Sequence, residues 1–404
     1  MKQAVMYGGG NIGRGFIGAL LSQSGYAVTF IDVAEPVVRS LQENKAYPVR
    51  YVSTDGSEDV WIENVTAVNG NDGDAVAEVI GTCDIMATAV GVRVLKFIVP
   101  NIVAGLRKRW AAGAQPLNII ICENLMNANH VLEGMLKDLL TAEECALFDQ
   151  TVGLVEASIG RMVPVQTENM KDGDPLRVCV ERYGFLPVDQ DAFKGEPPKI
   201  KNLVPYAPFD FYLKRKLYLH NMGHSTCAYL GDLLELTYIY EAIAVPDIYI
   251  LVKNAMLESA QALSSQYDVS IAPLMDHIDD LLHRFTNAAL GDTCQRVGGD
   301  PARKLSPEDR LIGAGKLALS LGIAPSYIAV GAAAGVGRYL KENAMEQTPE
   351  NARTVLSQIS GLDEEDPLAK RVLDMYRLII AGSGIDTLRQ AAESNKAASL
   401  QNVI

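Results

Sequence analysis

Two hydrophobic rhythms alternate along the first part of the chain. QAVMYG (3–8) is a short apolar run ending in glycine, the pattern of a strand buried on both faces. In NIGRGFIGALLSQSG (11–25) the apolar residues Ile12, Phe16, Ile17, Leu20 and Leu21 recur at helical spacing, and Gly25 is a C-terminal stop. AVTFID (27–32) predicts a second strand, and AEPVVRSLQENK (34–45) a second helix with Pro36 near its first turn. CDIMATAVG (83–91) reads as a strand running into a glycine turn, and LNIIICEN (117–124) as another buried strand. Strands that alternate with helices predict a parallel, doubly wound sheet.

The rhythm changes after about residue 150. GLVEASIGRMVPV (153–165) and LRVCVERYG (176–184) predict strands with no helix between them. DAFKGEPPKIKNLVPYAPFD (191–210) carries four prolines and reads as a connector, and beyond it the period is helical almost to the end. The prediction is an α/β plus all-α protein. A Rossmann-type domain spans 1–205, and a mostly helical domain spans 206–404. AVGAAAGVG (329–337) looks like a glycine loop, but no strand precedes it, so close helix packing is the better reading. MEQTPENARTVLSQISGLDEEDP (345–367) reads as a polar connector between helices.

Gly8, Gly10 and Gly13 form GxGxxG, with Asn11 and Ile12 inside it. Such a triplet is weak evidence alone. Here it follows a predicted strand, opens a predicted helix, and is followed by Asp32, 19 residues beyond Gly13 at the end of the second strand. Gly8 permits the tight turn, Gly10 lets the backbone approach a pyrophosphate, and Gly13 lets the helix pack on the strand. Asp32 can accept hydrogen bonds from the adenine ribose and would repel a 2′-phosphate. Val33 and Ala34 offer no arginine to offset that repulsion, so NAD is the expected cofactor. The alternative is a Rossmann fold that binds another nucleotide or none. Thr88, Ala89, Val90 and Gly91 end another predicted strand at the same edge and would put backbone beside the dinucleotide.

Composition narrows the partners. A formal net charge of −13 leaves no basic excess to neutralise nucleic-acid phosphates, yet permits a small anionic substrate in a local positive pocket. The six cysteines are scattered without a CxxC pair, which implies reduced thiols and no zinc frame, so no metal is expected. The first residues enter a strand directly, with no room for a signal peptide, and no apolar run reaches the roughly 18 residues of a membrane span. A cytoplasmic protein without membrane or nucleic-acid partners, monomer or homodimer, is the expectation.

KLYLHNMGH (216–224) places Lys216, Asn221 and His224 within an otherwise apolar stretch. At about 100° per residue, His224 lies near ~80° and Asn221 near ~140° from Lys216, within one side of a helix. Each alone has a plain reading: a solvated lysine, a satisfied core histidine. Together they suit hydride transfer from an alcohol, which needs a base for the hydroxyl proton and donors for the developing alkoxide. A lysine in a dry site has its pKa lowered toward such a role, and an asparagine amide can hold the oxygen. Asn124, after the last predicted strand, is a second oxyanion donor or a helix cap. RVGGDPARKLSPEDR (296–310) holds Arg296, Arg303, Lys304 and Arg310, either a phosphate clamp or a solvated loop paired with Asp300, Glu308 and Asp309.

Taken together, GGGNIGRGFIG (8–18), TAVG (88–91), LNIIICEN (117–124), RKLYLHNMGHSTCAYLG (215–231) and RKLSPEDRLI (303–312) resemble the polyol-specific long-chain dehydrogenases, the mannitol dehydrogenase family. The resemblance runs in the same order to about residue 340. It implies an NAD-dependent enzyme interconverting a sugar alcohol and a ketose, mannitol 1-phosphate and fructose 6-phosphate first, or else an unphosphorylated polyol or hexuronate. It further implies Lys216 as general base, Asn124 and Asn221 as oxyanion donors, His224 as a substrate-positioning residue, and Arg303, Lys304 and Arg310 as phosphate ligands. Two departures stand out. Gly160 occupies the place where the family commonly has aspartate, and Gly299 and Asp300 stand where sugar-phosphate members are more basic.

Overall fold

The computed structural model describes residues 1–113 and 115–401. These form two compact units, Met1–Tyr212 and Leu213–Ile404. The strands of the first unit, in chain order, are β1 (Lys2–Tyr7), β2 (Tyr26–Asp32), β3 (Ala46–Ser53), β4 (Gly56–Glu63), β5 (Val65–Asn69), β6 (Ile85–Thr88), β7 (Leu117–Ile121), β8 (Val152–Glu156), β9 (Val178–Val180), β10 (Leu186–Asp189) and β11 (Leu203–Tyr206).

Six of them make one parallel sheet in the order β5-β2-β1-β6-β7-β8. Along β1, Ala4 and Met6 pack into one core with Phe16, Ile17 and Phe30, while Val5 and Tyr7 pack into another with Ile31, Ile102 and Leu106. Both faces are covered, which is why such strands read as apolar runs rather than alternations. The strand order reverses between β1 and β6, so the loops after these two strands part at the carboxyl edge and leave a crevice there.

Three expectations need correction. The run 153–165 is a strand only to Glu156; β8 is the sixth strand of the main sheet, reached through helices Ala128–Lys137 and Ala142–Thr151. The proline-rich stretch 191–210 contains β11, the parallel partner of β10, with Pro205 opposite Val188. A two-stranded ladder leaves each strand an unpaired edge, where a missing N–H is tolerated. The stretch after Met345 holds the helix Pro349–Gln358, capped by Thr348 and burying Ala352, Val355 and Leu356. That i, i+3, i+4 triplet is helical spacing hidden in a polar composition. The hairpin β3–β4 and the sheet β4-β3-β9 are additions that the apolar pattern did not announce.

The second unit is helical. Gly331 and Gly335 lie in the helix Ser326–Glu342. A Cβ on Gly331 would stand 2.4 Å from Thr226 Oγ1, and one on Gly335 3.1 Å from the Tyr229 ring. The Ala/Gly run thus serves close packing against the helix Met222–Leu233. The buried Glu258 carboxylate accepts the N–H groups of Ser326 at 3.0 Å and Ile328 at 3.1 Å, and that of Tyr327 through both oxygens. It satisfies first-turn donors that every helix leaves open. No helix among the described residues is long and apolar enough to cross a membrane.

Candidate active site

The candidate residues fall in both units, and each half is built by its own elements. In the first unit the chain leaves β1 at Gly8, whose φ of +104° suits glycine. A Cβ on Gly8 would stand 2.4 Å from the Ala89 carbonyl oxygen, and one on Gly13 1.8 Å from the Gly8 carbonyl oxygen. Gly10 differs: a Cβ there would meet nothing within 4 Å. Two glycines therefore serve internal contacts and the middle one leaves an open face. Ile12 packs on the core, while Asn11 is exposed. The helix that follows opens with a π turn, Gly13–Gly18, before continuing as α-helix over Ala19–Gln23.

Asp32 ends β2 and accepts from the Gly9 N–H at 2.7 Å and the Ala34 N–H at 2.8 Å, one with each oxygen. Each oxygen keeps further acceptor capacity. Val33 and Ala34 are exposed and apolar. An open glycine face, a helix start and an oriented carboxylate with no cation in the next two positions fit an NAD dinucleotide. Thr88 ends β6 and is buried, and Ala89 donates its N–H to the Tyr7 carbonyl at 2.8 Å.

The spacing argument missed several residues here. Buried Glu123, directly before Asn124, accepts the N–H groups of Val90 at 2.9 Å and Gly91 at 2.8 Å. An acid appended to the apolar run LNIIIC was its only sequence signal. Arg14 is buried, donates to the Gly9 carbonyl, and has its own carbonyl bound by the Tyr47 hydroxyl at 2.7 Å. Arg161 lies over the Phe16 ring at 4.4 Å and donates to the Gly15 carbonyl at 2.7 Å. A Cβ on Gly160 would come 3.0 Å from the Tyr183 ring, so an aspartate there would press on that ring.

In the second unit Lys216 and Asn221 begin and end a π turn, Lys216–Asn221, which leads into the helix Met222–Leu233. This corrects the wheel argument: i→i+5 bonding widens the turn, so the ~100° step does not hold across it. Burial first, and then the Arg310 charge, lower the Lys216 pKa from 10.5 to about 8. His224 stacks on Phe285 with ring centroids 4.8 Å apart and planes at 14°. Burial, helped by Arg296, Arg284, Arg310 and Lys304, holds the imidazole down to about 3. It is therefore neutral at ordinary pH, and its 3.5 Å approach to Asp292 is no ion pair. Asp292 pairs instead with Arg296. The His224 Nε2 is buried with no hydrogen-bond partner among the described residues. A ligand hydroxyl could satisfy that nitrogen.

The basic stretch divides. Arg303 is bound by Asp300 at 2.7 Å and Asp309 at 3.2 Å and lies at the surface. Arg310 is nearly buried and pairs with Asp309 at 2.7 Å. Lys304 is buried, donates to the Gly299 carbonyl, and is lowered to about 8 by burial and the neighbouring Arg310 and Arg303. Arg310 acts on both Lys216 and His224, and Arg296 and Lys304 act on His224.

Comparisons with known proteins agree along nearly the whole chain. Residues 2–202 match the model of the mannitol dehydrogenase Rossmann domain, and residues 209–375 that of the mannitol dehydrogenase C-terminal domain. The mannitol-1-phosphate 5-dehydrogenase of Brevibacillus brevis is 35% identical over 392 residues, covering 94% of this chain and 99% of the relative. That of Phaeosphaeria nodorum is 31% identical over 399 residues, covering 95% and 99%. Two solved structures share the fold at 15% identity, each covering 96% of this chain and 94% of the other. They are a substrate-free D-sorbitol dehydrogenase (TM-score 0.79) and the Pseudomonas fluorescens mannitol 2-dehydrogenase in ternary complex with NAD and D-mannitol (TM-score 0.72).

Proposed function

The chain belongs to the mannitol dehydrogenase family, and from that premise we propose that it interconverts mannitol 1-phosphate and fructose 6-phosphate with NAD as cofactor. The mechanism rests on Lys216, which opens the π turn that ends at Asn221 and is drawn down to about 8 by burial and Arg310. When bound, NAD supplies the hydride acceptor in the oxidising direction. Gly10 and the helix start would hold its pyrophosphate, and Asp32 its adenine ribose. Neutral Lys216 removes the proton of the reacting hydroxyl. The amides of Asn124 and Asn221 donate to the oxygen as negative charge develops on it. Neutral His224, whose buried Nε2 has no hydrogen-bond partner among the described residues, would bond a substrate hydroxyl and fix its orientation.

Lys304 and Arg310, two of the three cations of the basic stretch that act on His224, are the proposed phosphate ligands; Arg296, the third, is paired with Asp292. Arg303 has a weaker claim, because two carboxylates already hold it. That same pairing favours a second reading, an unphosphorylated polyol or hexuronate. The test is the rate of NADH oxidation by the purified protein with fructose 6-phosphate, fructose and a hexuronate at matched concentrations. Turnover confined to fructose 6-phosphate is the expected result. Turnover of an unphosphorylated ketose at equal efficiency would overturn the phosphate assignment.

A further inference from the structure

Glu123 stands one residue past Cys122 at the carboxyl edge of the main sheet, directly before Asn124. It is buried, and among the described residues it has no ion-pair partner. Its two oxygens instead take the N–H groups of consecutive residues, Val90 at 2.9 Å and Gly91 at 2.8 Å. Charged acceptors make the stronger kind of hydrogen bond, and a buried carboxylate spanning two main-chain donors fixes their orientation.

Those donors belong to the loop that follows β6. On its other side this loop meets the glycine turn: the Ala89 carbonyl oxygen would stand 2.4 Å from a Cβ on Gly8. Ala89 is tied to β1 through the Tyr7 carbonyl, and Cys122 to the end of β6 through the Thr88 carbonyl at 2.9 Å. The loop is thus clamped between the turns after β1 and β7. β1 and β6 are the pair of strands between which the order reverses, where open sheets of this kind receive ligands. Gly91, with φ at +90°, could not hold its shape cheaply as another residue, so the loop has a specific conformation to maintain.

We propose that Glu123 is a positioning residue for the cofactor, holding the 89–91 backbone in the form that a dinucleotide meets at the crevice. This rests on the NAD reading given above. It also links cofactor and substrate chemistry through sequence: the residue that fixes the loop is the neighbour of the proposed oxyanion donor Asn124.

Glu123→Gln tests it with almost no change in volume. A glutamine has one acceptor oxygen, and its NH₂ would face one of the two loop N–H groups donor to donor. The expected result is a loss of about tenfold in NADH affinity, read by fluorescence titration without ketose. Faster deuterium exchange at the Val90 and Gly91 amides accompanies it. A Glu123→Gln protein that binds NADH as tightly as wild type overturns the proposal. Faster exchange without loss of affinity also overturns it, because the carboxylate is then only a brace for the loop. A wild-type protein that fails to bind NADH overturns the cofactor reading itself, a distinguishable outcome. Should Glu123→Gln fail to fold, Glu123→Asp carries the same test, since its shorter arm cannot span both donors.

Discussion

Lys216 and His224 are driven toward their neutral forms by the same cause, loss of water, yet they come to rest in different places. At about 8 the lysine titrates inside the working range; at about 3 the imidazole is neutral throughout it. The sign of the pH dependence follows. With Lys216 as the proposed base, alcohol oxidation uses the free amine, so its kcat/KM should rise as pH passes through about 8. Ketose reduction needs the ammonium and should fall over the same window. Arg310→Gln removes the second cause of the shift and should move both limbs to higher pH, which rate profiles in the two directions would reveal. Lys216→Ala should lose roughly 10²- to 10⁴-fold in kcat, the usual worth of a general base, with NADH affinity unchanged. A variant with wild-type turnover would remove the lysine from the mechanism.

At the scale of elements, the packing of the helical unit depends on a buried carboxylate. Glu258→Ala would leave the N–H groups of Ser326, Tyr327 and Ile328 buried without an acceptor. Each such group costs on the order of 1–3 kcal/mol, so a loss of about 2–4 kcal/mol after partial relaxation is expected, measured as a lower unfolding midpoint in denaturant. Four of the six main-sheet strands, β1, β2, β6 and β7, were legible because their sequences are near-continuous apolar runs, while β5 was not read and β8 was not placed in the sheet. The hairpin β3–β4 was not, since β4 is largely exposed and its charged residues break any apolar run. The π turn at Lys216–Asn221 was invisible for another reason. A wheel drawn at 3.6 residues per turn presumes the hydrogen-bonding pattern that this segment does not follow. Glu123 escaped notice because its partners are backbone groups 33 and 32 residues away, and Arg14 because its bond to the nearby Gly9 carbonyl depends on how the glycine turn folds.

Across the whole molecule the formal charge is −13, yet Arg296, Lys304 and Arg310 act on His224 and Arg310 on Lys216. Composition showed the acidic background, but whether the basic stretch faced solvent or the catalytic helix depended on folding. Arg303 is paired at the surface, while Arg310 pairs with Asp309 and acts on Lys216. Added salt should therefore raise KM for fructose 6-phosphate severalfold between low and physiological ionic strength, and leave KM for fructose, if it is turned over, nearly constant. Equal salt sensitivity for both ketoses would count against Lys304 and Arg310 as phosphate ligands.

The wide turn at Lys216–Asn221 also bears on how this sequence can change over time. A π turn holds one more residue than the α turn it replaces. Removing a single residue between Leu217 and His220 would let the helix run on as regular α, with every backbone bond satisfied and little reason to unfold. Yet Lys216 would be carried around the axis relative to Asn221 and His224. Chain length within these six residues is thus under a tighter constraint than the identity of the apolar residues that fill them. A one-codon deletion here should yield a protein that is folded, soluble and chemically silent.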